Sequence, residues 1–155
     1  MENVIFQASD LAHNRTQFLD AARSGRARVR DKDGTGLVML PESELEVLEG
    51  FAAWSQKLNQ LNALVEAGRP LTPALLGDLA WLRVFDAEDL KDFMDELHQA
   101  LIADLADQTL NTVKAVVGDW RVTARQLEDP LRRSVLLGHD APDHLVEATR
   151  PVAVA

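Results

Sequence analysis

The chain has 155 residues, 46% hydrophobic and 26% charged, which supplies a core for one ordinary domain or two small ones and excludes a disordered chain. It has no cysteine, which excludes a disulfide scaffold, a zinc ribbon and thiol catalysis and suits a reducing cytosol. The net charge is −9, made of +1 over residues 1–36 and −10 over residues 37–155. The total argues against nucleic acid, but a locally basic head on an acidic body points to two partners of opposite charge.

The apolar runs are far shorter than the roughly 20 residues that cross a bilayer. Met1-Glu2-Asn3 lacks the basic and apolar regions of a signal peptide. The expectation is a soluble, cytoplasmic protein with no membrane partner.

Val4-Ile5-Phe6 is a short β-type run. Ser9 or Asp10 then caps a helix whose stripe is Leu11, Phe18, Leu19 and Ala22, ending at Gly25. Arg26, Arg28, Arg30 and Lys32 alternate with Ala27, Val29 and Asp31, a period of two that predicts a strand. Asp33-Gly34 is turn chemistry, Leu37 to Leu40 is the return strand, and Pro41 opens a helix. That helix carries Leu45, Leu48, Phe51, Ala52, Leu58, Leu61 and Val65 to about Ala67, and Gly68-Arg69-Pro70 breaks it.

The remainder reads all-helical. Thr72-Pro73 starts a helix with Leu75, Leu76, Leu79 and Leu82. Asp86 caps the next, whose stripe is Leu90, Phe93, Met94, Leu97, Leu101 and Leu105. Leu110, Val113, Val117, Trp120, Ala124 and Leu127 alternate spacings of three and four, which predicts an amphipathic helix ended or kinked at Asp129-Pro130. Leu131 to Leu137 suggests one more short helix. The predicted organisation is α+β: a domain over 1–68, a helical region over 69–138 and a flexible tail over 139–155.

The order strand, helix, two-stranded hairpin, helix resembles the Phd/YefM (prevent-host-death) antitoxins of type II toxin–antitoxin modules. The matching segments are Ala8 to Leu11, Phe18 to Gly25, Ala27 to Gly34, Leu37 to Pro41 and Glu42 to Leu48. Leu79 to Phe85 with Glu88 to Phe93, and Asp119 to Ala124 with Asp129-Pro130, are similar to stretches of longer family members. The chain departs from the family pattern where Asp31 interrupts the basic residues and where Thr35-Gly36 replaces a proline after the turn.

The resemblance implies a small domain with a short antiparallel sheet and two helices, which forms a homodimer or higher homo-oligomer on operator DNA. It also implies a C-terminal region that occludes a cognate toxin. On that reading Arg28, Arg30 and Lys32 share a basic strand face for phosphates, and Asn14 and Arg15 stand at a helix start suited to phosphate or base edges. Trp120, Leu127, Leu131, Val135, Leu136 and Leu137 are apolar anchors for the toxin, while Trp54 and Trp81 belong to the core. Asp86, Glu88, Asp89, Asp92, Asp95 and Glu96 form an acidic face able to steer a basic partner. The alternative is an orphan DNA-binding transcriptional regulator whose helical half is an oligomerisation module.

Nothing in the sequence points to an enzyme or a cofactor. There is no Gly-rich phosphate loop, no GxSxG and no HExxH. The histidines are His13, His98, His139 and His144; Asp95 and Glu96 next to His98 make a single carboxylate–histidine pair, where a bundle metal site needs more than one.

Overall fold

The computed structural model describes residues 5–130 with Ser134 and Leu137. The strands are β1 (Ile5–Gln7), β2 (Ala27–Arg30) and β3 (Gly36–Met39); the helices are α1 (Arg15–Arg23), α2 (Glu42–Glu66), α3 (Pro73–Leu76), α4 (Ala87–Asp107) and α5 (Asn111–Glu128). The architecture is α+β and mostly helical, with one three-stranded sheet in the order β1-β2-β3.

The sheet is mixed rather than antiparallel. β2 and β3 pair antiparallel across the predicted hairpin, but β1 and β2 pair parallel, Phe6 opposite Val29. The chain between β1 and β2 contains α1, and a helical crossover returns a strand in the same direction. That crossover is also broken where one helix was expected. Ala8–Ala12 forms a 3-10 turn, in which Asp10 reaches back to the Gln7 N–H at 2.9 Å instead of capping a longer helix. His13 and Asn14 both donate to the Asp10 carbonyl, and α1 begins only at Arg15.

β2 sorts its side chains by parity. Ala27 and Val29 are buried with Phe6, Phe18 and Ala22 beneath α1, and Phe6 meets Phe18 edge-on at 5.3 Å. The alternate residues Arg28 and Arg30 leave the sheet on its other face. α1 does not reach over β3: Leu37 and Met39 pair with Val29 and Ala27, yet Leu37 is 51% exposed and Met39 is exposed as well.

The larger core belongs to the helices. Phe93, Leu97, Leu82, Leu61 and Val113 are its most enclosed members. Leu58 and Leu61 come from α2, so this core crosses position 68 in the sequence and takes in the second half of the long helix. Gly50 lets α2 approach the start of α5, since a Cβ there would collide with the Leu110 Cδ1. That accounts for a glycine inside a helix, where it costs about 1 kcal/mol against alanine. The predicted helix after Pro73 lasts one turn. Gly77 turns out of the α region at φ +58°, and Gly77–Val84 continues as a 3-10 stretch that buries Leu79 and Leu82.

α4 starts as predicted: one Asp86 carboxylate oxygen accepts from Glu88 and Asp89 N–H groups, each at 2.9 Å. Its last turn corrects the expected stripe. Leu105 is 61% exposed and Asp104 is 1% exposed. The Asp104 carboxylate accepts from the backbone N–H groups of Val113 (2.9 Å) and Thr112 (3.1 Å) and from the Thr109 hydroxyl (3.0 Å). It thus caps α5 from the preceding helix, where Leu110 at the N-cap position has no side-chain oxygen to offer. Burial acts to raise its pKa, but the donors from Val113, Thr112 and Thr109 outweigh burial and hold the carboxyl below its ordinary 3.8.

A carboxyl with a depressed folded pKa contributes stability that is complete above the unfolded value and disappears as pH falls through the folded one. Asp104→Asn places an amide donor among N–H donors. It should lower stability at neutral pH by about 1–3 kcal/mol in urea unfolding. Below pH 3.8 the variant should lose less further stability than the parent chain, which a pH series of the same titration measures.

Candidate functional site

Two surfaces collect the residues singled out by sequence. The first is the sheet face opposite α1. Arg28 and Arg30 stand on it two residues apart, beside exposed Gln7, Ile5 and Val38. Arg30 Nη1 donates to the Gly34 carbonyl at 3.0 Å, which folds that guanidinium against the hairpin turn. Arg28 has no ion-pair partner among the described residues. Lys32 lies within the turn. Both turn acids are engaged with backbone: Asp31 accepts from the Lys32 N–H at 2.7 Å and Asp33 from the Thr35 N–H at 2.8 Å. The Thr35 N–H and hydroxyl hold the Asp33 carboxyl below its ordinary range.

Asn14 and Arg15 are placed elsewhere. They open α1, and α1 packs on the face of the sheet that holds Phe6 and Val29. Asn14 makes no side-chain cap, so its amide and the first N–H groups of α1 are open to solvent partners. The fold therefore brings Arg28 and Arg30 together, sets Lys32 in the adjoining turn, and puts Asn14 and Arg15 on the far side of the sheet. Parity along the strand was readable from sequence; which face α1 would cover was not.

The second surface is on the helical region. Trp120 meets Phe85 at 5.1 Å and Phe93 at 5.6 Å between ring centroids, and Trp81 meets Phe93 at 5.4 Å, all edge-to-face. The Trp120 indole N–H donates to Glu96 at 2.8 Å. Trp120 and Leu127 are half-buried against the core, and Leu137 is exposed. With Phe85, Asp89, Asp119 and Thr123 they line a groove of about 330 Å³. Leu131, Val135 and Leu136 lie outside the described residues. Trp54 and Trp81 pack against the helical core. Asp119 and Thr123 were missed by the sequence reading, although Asp119, Trp120, Thr123 and Leu127 fall on one helical face by spacing alone.

A further apolar groove runs between α2 and α4. Cavities of about 420 and 230 Å³ share Phe51 and Leu105, and Leu48, Leu105 and the 57%-exposed Ile102 stand at the surface beside them. No sequence signal separated these leucines from core positions on the same helices.

Among the described residues no three His, Asp or Glu side chains come together as metal ligands, and no helix is long and apolar enough to cross a membrane. No protein-family model, curated protein or solved structure matches the chain.

Because Trp120 joins two aromatic contacts and one charged hydrogen bond, Trp120→Ala should destabilise the helical region by about 2–3 kcal/mol, less than a fully buried tryptophan. Glu96→Gln keeps an acceptor for the indole and should cost under about 1 kcal/mol. Chemical denaturation followed by circular dichroism compares the two.

Proposed function

We propose that the chain is an antitoxin of the Phd/YefM kind, a non-enzymatic protein that represses its own operon through an N-terminal dimer and neutralises a cognate toxin through its helical region. The observation that carries this reading is the division of labour within β2. Ala27 and Val29 build the small core, while Arg28 and Arg30 face outward on a sheet surface left exposed. A rigid strand that presents two guanidinium groups fits phosphate contact, the main source of affinity for DNA.

The rest of the head supports pairing. β3 is an edge strand with every residue exposed, and Leu37, Met39, Leu45 and Leu48 leave apolar surface open around it. A second copy would cover an edge that otherwise invites uncontrolled pairing. In such a dimer the face with Arg28 and Arg30 is doubled. The helical region supports a basic partner, because α4 carries Glu88, Asp89, Asp92, Asp95 and Glu96 with Lys91 as its one base.

The test is a double variant, Arg28→Glu with Arg30→Glu, expressed together with the neighbouring genes. It should still capture its partner and run at twice the chain mass by light scattering. It should fail to shift the DNA upstream of its own gene, and any residual binding should have a log–log salt slope shallower by about 2. Unchanged binding with an unchanged slope removes the strand face as the DNA surface. DNA binding without any captured partner supports the orphan regulator instead.

A further inference from the structure

The groove beside Trp120 has a floor and a rim of different chemistry. Phe85, Trp120 and Leu127 are apolar, Asp89 and Asp119 are acidic, and none of the residues lining it is basic. Trp120 cannot rotate freely, since its indole N–H is held by Glu96 and its ring is wedged against Phe85 and Phe93. The floor is therefore set before anything binds, which lowers the ordering cost of an occupant. The same aromatic cluster already receives one guanidinium: Arg121 lies 5.6 Å from the Trp81 ring centroid.

We infer that this groove receives an arginine side chain from a basic protein partner, an inference that rests on the antitoxin reading for the partner's identity but not for its test. A planar guanidinium stacks on an aromatic ring and forks toward a carboxylate at once, which an ammonium does not. Asp119 is exposed, has no ion-pair partner among the described residues, and stands one residue from the ring that would carry the stack. Asp89 faces the groove from α4 while its second role, accepting from the Asp86 N–H, is a long contact at 3.4 Å. The two acids approach from two different helices, so a cation between them is attracted from both sides.

The experiment uses the full chain, labelled with ¹⁵N and titrated with the peptide acetyl-Leu-Arg-Leu-amide. The control peptide carries citrulline, which keeps the planar shape and removes the charge. The arginine peptide should shift the Trp120 indole N–H and the Thr123 amide along one saturable curve, and the citrulline peptide should bind about tenfold more weakly. Asp119→Asn should weaken the arginine peptide by about the same factor. Asp119→Lys, which brings its own cation to the rim, should abolish the response; both positions are exposed, and an unchanged melting temperature shows that each variant is folded. Equal binding of the two peptides, an unchanged response in Asp119→Asn, or shifts scattered over the whole acidic surface would each overturn the inference. Because the probe is a peptide, this outcome is separable from the antitoxin reading. A captured partner with no arginine response removes the groove alone, and an arginine response with no captured partner removes the antitoxin reading alone.

Discussion

One buried carboxylate holds the helical region in its arrangement. Asp104 sits at the end of α4 with almost no exposed surface and gives its oxygens to the first turn of α5. The turn between the helices is short, with Gln108 in the left-handed region, and the backbone there has few ways to satisfy the start of α5. An anion at a helix N-terminus meets both the unpaired N–H groups and the positive end of the dipole. Fixing α5 against α4 fixes Trp120 over Glu96 and Phe93, and with it the floor of the groove. It also sets Leu110 where it meets Gly50 of α2.

α2 links the two parts of the molecule without interruption. Its first turn follows directly from β3, and Glu44 in that turn pairs with Arg26 ahead of β2 at 2.5 Å. Its last turns carry Leu58 and Leu61 into the helical core. Lys57 on the same helix pairs with Asp78 and lies over Trp54. The basic strand and the acidic helices are thus mounted at opposite ends of one 25-residue helix. Their opposed charges stay apart along the chain and in the fold, which keeps each available to a partner of its own.

Much of this was legible because local chemistry decided it. The parity of Arg26 to Lys32, the proline opening α2, the aspartate opening α4 and the spacing of α5 each depend on a few neighbouring residues. The failures came where distant packing decides. Nothing near β1 says whether it runs parallel or antiparallel to β2; the 3-10 turn and α1 between them settle the direction. Leu105 and Asp104 are adjacent, and the stripe chose the leucine because an aspartate gains burial only when donors seven to nine residues away converge on it. Asn14 and Arg15 were grouped with Arg28 and Arg30 by charge type, but covering one sheet face with α1 separates them.

The distribution of aromatic residues governs what an optical probe can see. Trp54, Trp81 and Trp120 are the three tryptophans, all on α2, the 3-10 stretch or α5, and the chain has no tyrosine. The sheet and α1 hold only Phe6 and Phe18. Indole emission therefore follows the helical region and is blind to the sheet, whose melting passes unseen unless backbone ellipticity or amide exchange is followed alongside. Coincidence of those signals is the usual mark of a single cooperative unit. In this chain it would report whether α2 transmits unfolding from one core to the other.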